Sequence, residues 1–234
     1  PRFQRLLQSA TKPVVVLKAG QTEAGARAVA SHTGSLAGSL EVWDAFCRQR
    51  GVVQVDSLEE MVDVMAAFLT FREPPKGRGT GVIGVGGGAN VLATEACQKA
   101  GLDVPPLPMS VQERLLEFTP EIGGSVRNPV DNNDVLRGKG NLARTFQLVG
   151  ECQEIDLLLV HLATGFNPRQ ATTLDTIADG LISAAAETDK PLAVAIVRAF
   201  HPNRVGPALD AQHKLQEAGI PVFYSVPAAA NAIS

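Results

Sequence analysis

A chain of 234 residues with 45% hydrophobic residues carries enough apolar material for one large domain or two modest ones, which excludes a disordered protein. The net charge of -3, with cations and anions interspersed, offers neither a basic patch for nucleic acid nor an acidic tail. No apolar run approaches the ~20 residues that cross a bilayer, and the first ten residues lack a signal peptide's apolar core, so a cytoplasmic protein without a membrane partner is expected.

PRFQRLLQSA opens with the helical spacing of Phe3, Leu6 and Leu7, and both this start and the closing AAANAIS read as cut from a longer polypeptide. KPVVVLK then signals a buried strand, with β-branched residues at 14 to 16 behind a proline that stops the helix. Residues 19 to 35 are rich in Gly, Ala, Ser and Thr and are expected to form a long loop. LAGSLEVWDAFCRQRG places Leu36, Leu40, Trp43, Ala45, Phe46 and Cys47 largely on one helical face, with Gly51 as its stop. GVVQV is a short strand. Asp56 or Ser57 caps the next helix, where SLEE has capping-box spacing and Leu58, Met61, Val62, Met65 and Phe68 form the expected buried stripe.

FREPPKGRGTG crowds prolines, glycines and cations together, so residues 73–81 are expected as a linker between a part-domain, 1–72, and a second domain, 82–234. Beyond it the pattern restarts with strand GVIGV, a glycine turn at 86 to 88 and helix ANVLATEACQKAG. A short strand near Val104, a helix from 110 to 118, the loop SVRNPVD and a helix around 139–150 follow. Strand IDLLLVHL, a helix over 170–187, strand PLAVAIV, a helix over 206–218, strand PVFYS and a helical start at Pro227 complete the chain. Alternation of helices with uniformly apolar strands predicts an α/β fold of parallel sheets covered on both faces. The second block has the five units of a flavodoxin-like sheet; the first has two strands, too few to stand alone.

Cys47, Cys97 and Cys152 are scattered and odd in number, a usage that fits a reducing compartment and argues against a disulfide framework or a zinc site. In open α/β sheets ligands bind outside the carboxyl ends of the strands, and three segments fall there. SHTGSLAG presents His32 between two hydroxyl side chains, followed by small residues. GVGGGAN lets the backbone approach a ligand at the start of a helix, whose unpaired N–H groups and dipole favour an anion. In HLATGFNPRQ, Thr164, Gly165 and Asn167 are candidates for holding a carboxylate or phosphate. His161, His201 and His213 are assigned structural roles, the first because it lies inside a strand. Gly84 to Ala89 approaches the dinucleotide fingerprint, but Asp103 precedes the second strand instead of ending it, which argues against NAD.

KPVVVLKAGQTEAGARAVASHTGSLAG, an amphipathic helix and GVVQVDSLEEMVDV closely resemble the histidine segment of the NDP-forming acyl-CoA synthetases, the superfamily that includes succinyl-CoA synthetase and ADP-forming acetyl-CoA synthetase. GVIGVGGGANVLATEACQKAGL and SVRNPVD resemble the glycine turn and a characteristic loop of that family's other ligase domain. The resemblance implies two succinyl-CoA-synthetase-like domains, the first incomplete, with His32 as a transiently phosphorylated nucleophile. It implies an acid-thiol ligase that joins a small carboxylic acid to coenzyme A through an acyl phosphate at the expense of ATP. Ser31, Thr33 and Gly34, with Gly86, Gly87, Gly88, Ala89 and Asn90, would meet the phosphoryl group; Asn128 and Asp131, with Thr164, Gly165 and Asn167, would meet the substrate. An ordinary imidazole, with pKa near ~6.5, is a competent nucleophile at neutral pH.

The family's leading strand, its own phosphate-facing helix and a histidine-orienting glutamate have no counterpart from Pro1 onward, and Glu23 does not occupy that glutamate's place. A CoA-binding Rossmann domain and an ATP-grasp domain, the latter the place for Mg2+, are therefore expected in the same polypeptide or another subunit, in an oligomer. A different function class fits the same domains: a non-catalytic acyl-CoA-sensing module fused to an enzyme such as an acetyltransferase. Such a sensor has no need of His32.

Overall fold

The computed structural model describes residues 2–33, 39–119, 124–136, 140–163, 173–197 and 202–234, with the backbone alone at 33, 136, 163 and 202–204. The chain forms two compact units, Pro1–Phe68 and Leu69–Ser234. None of the described helices is long and apolar enough to cross a membrane.

In the first unit, helix α1 (Arg2–Ser9) precedes strand β1 (Val15–Leu17), which pairs in parallel with β2 (Val53–Val55). Where a loop was expected, helix α2 spans Glu23–Thr33. The stretch has no apolar stripe to betray it, but alanine carries the highest helix propensity, and Thr22 closes the start by accepting from Gly25 N–H at 3.1 Å. Helix α3 (Leu40–Arg50) begins at the Ser39 cap and ends at Gly51, whose φ of 62° is the left-handed geometry that a terminal glycine supplies. Its Trp43 and Phe46 rings lie 6.0 and 5.9 Å from Phe3, so the expected stripe of α3 is what α1 rests on.

Helix α4 (Leu58–Thr70) departs from its expected packing. Ser57 caps it as predicted, accepting from Glu60 N–H, while Glu60 reaches back to Asp56 N–H at 2.7 Å. Yet Val64 and Ala67 are the residues it buries, and Leu58, Val62, Met65 and Phe68 are exposed. Two three-residue strands present too narrow a surface to cover the full stripe.

The second unit holds a five-stranded parallel sheet in the order β4-β3-β5-β6-β7, from Val130–Asp131, Thr80–Gly84, Leu157–Ala163, Leu192–Val197 and Val222–Phe223. In sequence order this is 2-1-3-4-5, the doubly wound order of flavodoxin, with its topological switch point between β3 and β5. β3 is buried throughout, and β6 is buried at all but its last residue, as their unbroken apolar runs require. Helices α5 (Gly87–Lys99) and α6 (Met109–Leu116) both lie between β3 and β4, and α7 (Leu142–Gly150), α8 (Leu174–Ala185), α9 (Pro202–Glu217) and α10 (Val226–Ile233) follow β4, β5, β6 and β7 in turn. Val104 falls outside any strand; Asp103 makes an isolated bridge to Gly79.

Residues 77–80 are stitched to the second unit. Gly79 N–H donates to Asp156 Oδ2 at 3.0 Å, and its carbonyl accepts from Asp156 N–H. All three cysteines are buried thiols, and burial pushes Cys97 up to about 11, so they act as small core residues and not as nucleophiles at neutral pH.

Candidate functional site

The carboxyl ends of β3, β4 and β5 meet beneath the glycine turn. Gly86 has a φ of 97°, a conformation that suits glycine, and its N–H donates to Asp131 Oδ1 at 3.2 Å. Asp131, expected at the substrate, ends β4, is 7% exposed and holds the turn from below through Oδ1. Gly87 and Gly88 open α5 on the surface, and a Cβ at either would meet nothing within 4 Å. Gly86 has no side chain to cap α5, so the helix start offers open backbone donors. That geometry is ready for an anion.

Asn90, in the first turn of α5, is 2% exposed. Its Oδ1 lies 2.6 Å from Nε2 of His161, on β5. The amide oxygen can only accept, so Nε2 carries the ring proton. Nδ2 of Asn90 is buried with no partner among the described residues. An orphaned buried donor costs about 1–3 kcal/mol.

His161, assigned a structural role from its place in a strand, thus stands against the helix that bears the turn. Burial lowers its pKa from the ordinary imidazole value, and the nearby charge of Asp131 opposes that shift in part. It lies one step beyond the Ile83↔Val160 pairing, beside Gly84, where a Cβ would run into the ring. A bulky histidine opposite a glycine on the neighbouring strand was the available signal, legible only once β3 and β5 are known to pair.

A folded-state pKa below the unfolded value means that the unfolded chain binds the proton more readily below about pH 6.5. His161 therefore contributes stability that is fully present above that pH and is lost as pH falls through the folded-state pKa. Thermal melting against pH should show this acid slope, and His161→Gln should flatten it; an unchanged slope in the variant would assign the acid loss elsewhere.

Asn128, also expected at the substrate, is committed to the backbone. Its Oδ1 accepts from Val82 N–H at 2.9 Å, and its Nδ2 donates to the carbonyls of Thr80 and Pro105. It sits at a φ of 74° before a cis peptide bond to Pro129. All three bonds tie the loop to β3 and to the segment ahead of α6, leaving no donor for a ligand. Asn128→Ala should cost about 2–3 kcal/mol in denaturant unfolding, at ~1 kcal/mol per bond together with the left-handed backbone. Asn128→Gly should cost less, because glycine keeps that backbone free.

In the first unit, His32 occupies the last turn of α2 and is exposed. An imidazole fixed on a helix end and open to solvent is accessible to a reacting group. Ser31 donates its hydroxyl to Ala28 carbonyl at 2.8 Å. The Thr33 side chain, Gly34, Thr164, Gly165 and Asn167 lie outside the described residues. The structure therefore brings together Gly86 to Asn90 and Asp131, adds His161, and assigns Asn128 to the scaffold.

Residues 1–68 match the model of the succinyl-CoA ligase like flavodoxin domain. Over 95% of this chain, the sequence is 32% identical to the alpha subunit of acetate–CoA ligase [ADP-forming] II of Pyrococcus furiosus, of which it covers 47%. The alpha subunit of isozyme I from the same organism is 33% identical over 97% of the chain and 46% of its own length. The structure superposes on the dinucleotide forming acetyl-coenzyme A synthetase 1 of Ca. Korarchaeum cryptofilum, solved with phosphate and ADP, at a TM-score of 0.77 and 28% identity, covering 95% of this chain and 46% of that one. The chain spans about half the length of the curated relatives it matches.

Proposed function

The chain belongs to the NDP-forming acyl-CoA synthetase family, the succinyl-CoA synthetase-like ligases, and from that premise we propose that it is the phosphoryl-carrying part of an acid-thiol ligase of the ADP-forming type. The observation that carries the reading is an exposed histidine at a helix end in one unit, together with an open glycine helix start in the other.

The reaction runs in balanced steps. ATP, a carboxylic acid and coenzyme A become acyl-CoA, ADP and phosphate. In the acyl-CoA-consuming direction, phosphate displaces the thiol to give an acyl phosphate. A neutral nitrogen of His32 then attacks phosphorus, the P–O bond to the acyl group breaks, and the free carboxylate leaves. ADP takes the phosphoryl group from His32 to give ATP, and the imidazole returns to its starting state. His32 is the nucleophile, with Ser31, Thr33 and Gly34 beside it. Backbone N–H groups of Gly87, Gly88 and Ala89 receive the phosphate oxygens, and Gly86 is held in place by Asp131. Thr164, Gly165 and Asn167 are proposed at the acyl carboxylate.

In this reading residues 1–72 complete the histidine-bearing domain, 73–81 connect, and 82–234 form the second ligase domain. A CoA-binding Rossmann domain and an ATP-grasp domain that takes ATP with Mg2+ work with it, in the cytoplasm and as an oligomer. The relatives are ligases, which favours this reading over an acyl-CoA sensor.

Incubating the full-length protein and any partner subunit with γ-labelled ATP should leave an acid-labile, alkali-stable phosphate in the peptide that contains His32. Label mapped to a different residue would overturn the reading.

A further inference from the structure

The buried amide of Asn90 is the feature that an open glycine turn does not by itself explain. A side chain at helix position four that only filled space would be apolar here, because Asn90 is 2% exposed and its nitrogen is left without an acceptor among the described residues. The oxygen of the same amide is held at 2.6 Å by His161, so which end of the amide is free is set by the imidazole. The nitrogen's unmet donors lie in the same first turn as Gly87 and Gly88.

We propose that His161 is a positioning residue for phosphate. Its Nε2–H fixes Asn90 Oδ1 and thereby reserves Asn90 Nδ2 as a side-chain donor to the phosphate group bound at the Gly86 to Gly88 turn. The inference rests on the proposed phosphate site and adds a side-chain donor and its support to the backbone cradle. Two features of the fold keep the arrangement rigid. His161 is buried on a central strand, 3% exposed, and Gly84 leaves the space its ring fills. Asp131 holds the turn through Gly86, so the amide and the turn are anchored to the two strands that flank β3 in one sheet.

The test uses the full-length protein with any partner subunit, assayed in the acyl-CoA-consuming direction with inorganic phosphate as the varied substrate. Asn90→Ala and His161→Leu should each raise KM for phosphate about tenfold or more, the scale of one hydrogen bond to a charged acceptor, with KM for ADP and acyl-CoA unchanged. The double variant should be no worse than either single one, because both remove the same donor. His161→Gln, whose amide N–H can still hold Asn90 Oδ1, should stay within about threefold of the parent, a rescue that loss of packing alone would not give. Gly87→Glu sets a carboxylate at the turn and reports on the phosphate site independently.

If Gly87→Glu raises KM for phosphate while Asn90→Ala or His161→Leu does not, the positioning role is wrong and the phosphate site stands. Effects of Asn90→Ala and His161→Leu that multiply in the double variant overturn it equally. If none of these variants moves KM for phosphate, the phosphate site falls with it. Should His161→Leu fail to fold, the contrast between Asn90→Ala and His161→Gln still decides: equal losses in both overturn the proposal.

Discussion

His32→Ala in the full-length protein is expected to lower acyl-CoA synthesis by at least ~10^3-fold while leaving the melting temperature within a few degrees of the parent. The two halves of this expectation have separate causes. Removing a covalent nucleophile forces the phosphoryl group to cross from acyl phosphate to nucleotide without its carrier, and no neighbouring group on α2 replaces it: Ser31 is bonded back to Ala28 and is a weak nucleophile without a base. Stability survives because His32 is exposed near the end of its helix, where a substitution by alanine, the best helix former, removes no buried contact. Steady-state kinetics together with phosphoryl labelling measure both parts. Turnover within about tenfold of the parent, or undiminished label, would remove His32 from the chemistry.

Gly84→Ala should be a severely damaging single-methyl change in the second unit, with a loss of roughly 3–5 kcal/mol in denaturant unfolding. The added Cβ would run into the His161 ring, a group that has no room to turn aside because it is buried and tied to Asn90. Overpacking a core of this kind costs about 1–3 kcal/mol, and breaking the buried pair leaves orphaned polar atoms that cost about 1–3 kcal/mol more. Pairing Gly84→Ala with His161→Ala removes the clash, so the double variant should be more stable than the sum of the two single losses predicts. Strict additivity would show that the ring and the methyl do not compete for the same space.

Much of the α/β alternation was legible because unbroken apolar strands and capped amphipathic helices each leave a local pattern. Strand β3, the glycine turn and α5 are read from VIGVGGG alone, and Gly51 stops α3 where its sequence position indicates. Local pattern failed where the decisive partner is distant. Helix α2 has no apolar period and owes its form to alanine propensity and the Thr22 cap. The stripe on α4 is correct as a pattern but incorrect as a burial, since burial depends on what a neighbouring element offers.

The same division runs through the site. His32 and the glycine turn are visible in sequence because each is a compact local motif of small residues around a reactive or open group. Asn128 and Asp131 stand in a compact motif of their own, SVRNPVD, yet only their three-dimensional partners show that one ties the loop to β3 and the other holds the turn. His161 and Asn90 are separated by 71 positions, and only the pairing of β5 with β3 brings the imidazole to the amide. Sequence by itself determined the chemistry on offer, because reactivity belongs to residue types and local backbone freedom. The tertiary structure decided which polar groups are consumed by the scaffold and which are left to meet a ligand, because hydrogen bonds are filled by whatever the fold brings within about 3 Å.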